Sequence, residues 1–436
     1  MVSDIIEAVE RAGVVGAGGA GFPTHVKLQA GVRVVIANGS ECEPLLCCDK
    51  HLMCNNPQVI IQGLSLAMQA TGADQGIIAV KAKQADVIQA LSRHLPVGGH
   101  IRIHQLQDYY PIGDEQLLVY EVTGKLVPPG GLPLKVGVLV CNVATLHNIA
   151  QAQQGVPVTH RYVSIAGEVP SPKTLCVPIG TSLRDLIELA GGSLISDPAL
   201  IVGGPMMGSL VDDMSLPVTK TTGGVLVLKP DHSLVLKRRF WAKNSQRQAA
   251  SLCYQCGSCT QLCPRNLLGH DISPQQSMLK SGYIPLHIKL SDPFASLCSE
   301  CGLCAAYACR MGLSPLEMHR QQKANSGAKT SPAISASPHL SGYARYVPTP
   351  RLILRLGLRA YNIPIPFDPQ TCLPNQVCLP LKQHIGVPAV PVVNIGEHVR
   401  AGQLVAEPPA GSLGAKLHTP IDGEVFKTTP CLLIRC

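Results

Sequence analysis

Two runs of cysteine constrain this chain more than anything else in its 436 residues. The first is Cys253-x2-Cys256-x2-Cys259-x3-Cys263-Pro264 and the second is Cys298-x2-Cys301-x2-Cys304-x4-Cys309. Three closely spaced thiolates wrap three corners of an iron–sulfur cubane, and the small Gly257 and Ser258 let the backbone curl around its sulfides. The fourth thiolate leaves toward a second cubane. The expected sets are Cys253, Cys256, Cys259 and Cys309 for one 4Fe–4S cluster, and Cys298, Cys301, Cys304 and Cys263 for the other. Structural zinc, the competing reading, takes two pairs of ligands divided by a long spacer, which consecutive four-cysteine runs do not offer.

The first run has the bacterial ferredoxin spacing without a gap. The second carries one extra residue before its last cysteine, and Arg310 stands where proline is usual, so a weaker cluster or a shifted potential is expected there. The other ten of the 18 cysteines read as ordinary thiols. Cys42, Cys47, Cys48 and Cys54 are dense but fit no common metal spacing, and Cys176, Cys372, Cys378, Cys431 and Cys436 are scattered. No basic-then-apolar leader opens the sequence, and no apolar run reaches the length of a membrane helix. A reducing interior and a chain that does not span a membrane are expected, a setting in which clustered cysteine means metal more often than disulfide.

The expected architecture is multidomain α/β. Over 1–157 strands alternate with helices, which implies a mainly parallel sheet. Residues 158–235 form a small α+β unit, with Ser182 or Thr181 capping a helix, and 245–325 form a helical unit around the cysteines. Residues 326–378 read as a linker, Ser/Ala/Pro/Gly-rich at first and then basic and amphipathic over Arg351–Arg359. From 379 to 436 the chain is β-rich. The net charge of +8 sits partly in Lys237, Arg238, Arg239 and the Arg351–Arg359 stretch, patches expected to be solvated faces or docking surfaces and not nucleic-acid sites.

Gly16-Ala17-Gly18-Gly19-Ala20-Gly21 satisfies G-x-G-x-x-G, but a helix precedes it where a dinucleotide fold has a strand. Its glycines allow close approach of a phosphate. It continues as Phe22-Pro23-Thr24 and Lys27, then Asn38-Gly39-Ser40-Glu41-Cys42-Glu43-Pro44, Tyr110-Pro111-Ile112-Gly113-Asp114-Glu115-Gln116 and Asn142-Val143-Ala144-Thr145. In this order the motifs resemble the FMN-binding domain of the NADH-oxidising subunit of respiratory complex I, and more closely the C subunit of the Rnf electron-transport complex. The resemblance implies noncovalent FMN, with Gly16, Gly18, Gly19, Gly21 and Lys27 near the phosphate. It implies Asn38, Glu41, Glu43, Asn142 and Thr145 around the ribityl chain and ring, and Glu115 where a nicotinamide approaches. Ser40 replaces the Asp of the complex I pattern, Asp114 replaces its Glu, and the second aromatic that sandwiches NADH is not evident.

Gly180-Thr181-Ser182-Leu183 and Ala190-Gly191-Gly192 resemble a soluble-ligand-binding β-grasp (SLBB) module, and 384–425 resemble the barrel-sandwich hybrid of lipoyl and biotinyl domains. Lys416, in Ala-Lys-Leu, lacks the setting of a carrier lysine. That hybrid precedes the flavin domain in the Rnf protein but follows the clusters in this chain, an order similar to the corrinoid (cobalamin) reductases of propanediol-utilization microcompartments. Membership implies transfer from NADH through FMN and two 4Fe–4S clusters to cob(III)alamin, supporting an adenosyltransferase that serves diol dehydratase. It also implies a cytoplasmic site inside a microcompartment, among shell or lumen proteins. An electron-carrier subunit serving a membrane complex or a radical-activating enzyme is the other reading.

Overall fold

The computed structural model describes residues 2–283, 293–326, 337–339, 342–370 and 373–436. Much of the Ser/Ala/Pro/Gly-rich stretch and Cys372 lie outside them. Four parallel strands form the first sheet, in the order Ile101–Leu106, Gln75–Lys81, Val34–Asn38 and Val138–Asn142. The runs Val35-Ile36-Ala37 and Ile77-Ile78-Ala79-Val80 are buried on both faces, as parallel strands under helices require. The helix Pro57–Thr71 covers one face, opened by Pro57 and closed by Gly72 in the left-handed region. It crosses the helix Val143–Gln153 at Gly63, where a Cβ would stand 1.9 Å from the Leu146 carbonyl oxygen, so only glycine allows this approach. The first helix is Val2–Arg11, with Ser3 inside it.

The sheet's order reverses between Val34–Asn38 and Val138–Asn142, where Asn38 and Asn142 are register partners at the C-terminal ends. Ligands of open α/β sheets bind at such a point.

A second, six-stranded sheet runs Phe367–Asp368, Lys173–Pro178, His160–Gly167, Gly224–Leu228, Ala199–Val202 and Ser209–Val211. The helix Leu183–Glu188 packs on it, capped by the Ser182 hydroxyl, which accepts the Asp185 N–H. The described part of 342–378 is a strap and not a free linker. Val347–Pro348 pairs with Tyr109–Tyr110, and Phe367–Asp368 adds an edge strand beside Lys173–Pro178. Tyr346 stacks on Tyr109 at 4.3 Å, and Leu352 and Ile353 of the helix Thr349–Arg355 are buried, leaving Arg351 and Arg355 exposed. The strap's apolar residues thus bury against two other units, which composition alone did not reveal.

The C-terminal unit begins at Gln376 and holds a four-stranded and a three-stranded sheet. It packs into the same core as the parallel sheet's helices and touches the glycine loop, Ile385 N donating to the Gly21 carbonyl.

Three buried histidines make this assembly acid-sensitive. Burial holds His270, His384 and His418 down at about 4. His384 Nε2 accepts the Ala415 N–H at 3.0 Å, which a protonated ring cannot do. The folded values lie below the unfolded one of about 6.5, so this stability is complete above that pH and drains away as pH falls toward 4. Unfolding at pH 5 should therefore need less denaturant than at pH 7, and His384→Leu should shrink that gap. An equal gap in the variant refutes the assignment.

Candidate functional site

The glycine loop closes on itself, Gly16 N donating to Phe22 O and Gly21 N to Gly16 O. Among the described residues, the N–H groups of Gly18, Gly19 and Ala20 have no acceptor, and a Cβ on Gly19 would meet nothing within 4 Å. These donors form an open nest of the kind that receives a phosphate. The loop is held from behind: Ala17 N donates to Thr145 Oγ1 at 2.9 Å, and the buried Arg161 of the six-stranded sheet donates to the Ala17 carbonyl at 2.7 Å. Asn142 lies against Gly18, caps the helix Val143–Gln153 through Ala144 N, and donates to Asp49 Oδ2 at 2.7 Å.

Asn38 ties two loops together, donating to the Gly113 carbonyl and accepting from Ser40 N and Oγ. Gly113 N in turn donates to Cys42 Sγ at 2.7 Å. Lys27 donates to the Val140 carbonyl at 2.6 Å and pairs with Glu115 at 3.1 Å. Burial pulls the Lys27 ammonium down, but Glu115 and the Cys141 thiol more than offset it, and the group stays charged.

Glu41 and Glu43 both take backbone partners. Glu41 accepts the Asp49 and Lys50 N–H groups at the start of the helix Cys48–Asn55, and burial, then Asp49, pushes it up to about 8. Glu43 accepts the Met206 and Met207 N–H groups, both at 2.8 Å, in a turn of the six-stranded sheet. Both carboxyl groups accept from neighbouring backbone and position the loop that bears them. Sequence reasoning overlooked Asp49 and Arg161, which stand in no motif.

The two cysteine runs fold alike. Gln255 and Glu300 both have φ of 60°, while Gly257 and Gly302 have 77° and 80°, so each run curls through the left-handed region at the same two places. Cys253, Cys256, Cys259 and Cys309 line one cavity, with Gly257, Gln275 and Met278 around them. Cys263, Cys298, Cys301 and Cys304 form the second group. Burial raises all four thiols, and in Cys298, Cys301 and Cys304 other members of the set add to it. Four thiols this crowded become thiolates only with a metal's positive charge beside them, so this group suits a cluster. Amide N–H groups point at the sulfurs, Glu300 N at Cys298 and Leu313 N at Cys309.

The extra residue of the second run is absorbed in a π-helical turn, Cys304–Ala308, closed by Cys309 N donating to Cys304 O. Cys309 still reaches the cavity of the first run, so the insertion leaves its placement intact.

The groups differ in position. Tyr110, fully buried, donates its hydroxyl to the Cys301 carbonyl at 2.7 Å, and Asp114 pairs with Arg265, two residues after Cys263, at 2.8 Å. The Cys263/298/301/304 group therefore abuts the loop 110–115 of the parallel-sheet unit. Cys256 of the other group is exposed, and Arg355 of the strap donates to the Cys309 carbonyl. Of the outlying cysteines, Cys48 donates to the Gly223 carbonyl beside Ser164 while Cys42 faces Gly113, so they do not converge.

Comparison with known proteins divides the chain the same way. Family models match over 9–151 (Nuo51 FMN-binding domain), 162–209 (SLBB domain), 239–314 (4Fe-4S dicluster domain) and 369–435 (RnfC barrel sandwich hybrid domain). The chain is 44% identical over 429 residues to the cobalamin reductase PduS of Citrobacter freundii, covering 98% of this chain and 94% of that one. It is 36% identical over 269 residues to the C subunit of the Na(+)-translocating ferredoxin:NAD(+) oxidoreductase complex of Acetobacterium woodii, covering 60% and 58%. A crystal structure of an NAD+-reducing [NiFe]-hydrogenase shares the fold, with a TM-score of 0.50 at 22% identity over 76% of this chain and 64% of that one.

Proposed function

Since the chain belongs to the family of the cobalamin reductase PduS, we propose that it is an NADH-dependent oxidoreductase that reduces corrinoids through FMN and two 4Fe–4S clusters. The observation that carries this reading is the continuous protein path from an open nest at Gly18–Ala20, through the loop at Tyr110–Asp114, to a buried and then an exposed cysteine group. FMN accepts a two-electron hydride and releases single electrons, which iron–sulfur clusters carry one at a time.

The residues divide the labour as follows. The free N–H groups of Gly18, Gly19 and Ala20 bind the flavin phosphate, with Gly16 and Gly21 closing the turn and Thr145 and Arg161 fixing it. Asn38 and Asn142 line the sheet's switch point beside it. Lys27 orients Glu115 at the site of nicotinamide approach. Cys263, Cys298, Cys301 and Cys304 hold the flavin-side cluster, and Cys253, Cys256, Cys259 and Cys309 hold the outer one. The corrinoid meets the outer cluster near Cys256, where the cationic Arg310 and Arg355 are also exposed. The product supplies an adenosyltransferase inside a microcompartment. Among the described residues no helix is long and apolar enough to cross a membrane.

An anaerobic assay tests this. Protein reconstituted with iron, sulfide and FMN should reduce hydroxocobalamin when NADH is added, with the corrinoid spectrum changing in step. Bleaching of flavin and clusters with an unchanged corrinoid would instead favour a carrier that hands electrons to another protein.

A further inference from the structure

The strand Gln376–Pro380 runs antiparallel to Cys431–Arg435, with Cys378 opposite Leu433 and Pro380 opposite Cys431. Side chains repeat along a strand with period two, so Cys378 and Cys431 stand diagonally on one face of the sheet. Val377, Leu379, Leu432 and Ile434 alternate with them and are buried, which leaves both thiols on the opposite, half-exposed face. Their sulfurs lie 2.8 Å apart, with Cys378 donating to Cys431. A disulfide bond of about 2.0 Å needs only a small further approach from there. Both belong to the C-terminal unit, outside the two cysteine runs.

We propose that Cys378 and Cys431 are a reversible dithiol–disulfide pair that exchanges with low-molecular-weight disulfides such as oxidised glutathione. The thiolate of Cys431 attacks the glutathione disulfide, forming a mixed disulfide and releasing one glutathione thiolate. The Cys378 thiol then loses its proton to solvent, attacks Cys431 Sγ and expels the second glutathione. Two protein S–H groups and one oxidised glutathione become one protein disulfide and two reduced glutathiones, so atoms and electrons balance. The bond joins the first strand of the C-terminal unit to its last. Cys378 N also donates to the Gly180 carbonyl, in the turn just past the strand Lys173–Pro178, so oxidation fastens the chain's last strand to a strand already docked on its neighbour.

The test uses the full-length protein carrying its clusters and FMN, incubated anaerobically with excess oxidised glutathione. The reaction is quenched in acid, free thiols are alkylated with N-ethylmaleimide, and the protein is digested without reductant. Mass spectrometry should find the peptides containing 378 and 431 joined, two hydrogens lighter than their sum, in most molecules, and separated again by dithiothreitol. Cys378→Ser should carry glutathione on Cys431 with no cross-link, and Cys431→Ser should yield none either. N-ethylmaleimide on both residues of the wild type, separate glutathione adducts on each, or a bond from either to Cys436 would overturn the proposal.

Discussion

Cys301→Ser should abolish delivery of electrons beyond the flavin while leaving the flavin itself reducible. Cys301 is 9% exposed and sits directly beneath the Tyr110 hydroxyl, in the group that abuts the parallel-sheet unit. Losing a thiolate ligand there should reduce the cluster content from two to one. Corrinoid reduction should fall by about 100-fold or more, beyond the roughly 10–100-fold that second-sphere changes cost at metal sites. NADH should still bleach the flavin at an unchanged rate. Cys256→Ser is the contrasting variant, because it strikes the exposed group. There the surviving cluster should remain reducible by NADH, and only corrinoid reduction should fail. Electron paramagnetic resonance of the two variants under NADH distinguishes them. A surviving cluster that reduces readily in Cys301→Ser but not in Cys256→Ser would reverse the order of the two clusters along the path.

The second large effect is expected at Arg265. Its guanidinium pairs with Asp114 at 2.8 Å, and the two side chains are only 11% and 8% exposed. Asp114 also caps the helix Glu115–Thr123, accepting from Gln116 N and Leu117 N. Arg265→Met leaves the Asp114 side chain buried without its partner, and breaking a buried ion pair typically costs about 3–5 kcal/mol. Asp114→Asn keeps the cap and removes the charge, so combining it with Arg265→Met should recover part of the loss. Denaturant unfolding of the cofactor-loaded protein measures this. A loss below about 1 kcal/mol, the range of exposed pairs, would show that water screens the pair.

Much of the fold was legible because its signals are local. The Pro57 opening and the Gly72 stop of one helix, and the Ser182 cap of another, depend only on neighbouring residues. So does the alternation that predicts a parallel sheet. The strap was read as a linker because its short strands pair with residues more than 190 positions away, and no local pattern reports such partners. Motif position places Glu41 and Glu43 in the chain but does not say which neighbours their carboxyl groups bond. The N–H groups of Met206 and Met207 bind Glu43, and the start of the helix Cys48–Asn55 binds Glu41.

The two cysteine runs show the division most clearly. Spacing by itself determined that each run curls through the same left-handed positions and presents three thiols inward, because that geometry is set by a few adjacent backbone dihedrals. Tertiary structure decided the rest. A π-helical turn absorbs the extra residue before Cys309. Contacts from Tyr110 and Asp114 set one group against the flavin unit and leave the other at the surface. Spacing cannot rank two similar runs, since which of them faces the flavin depends on packing between segments far apart in the chain.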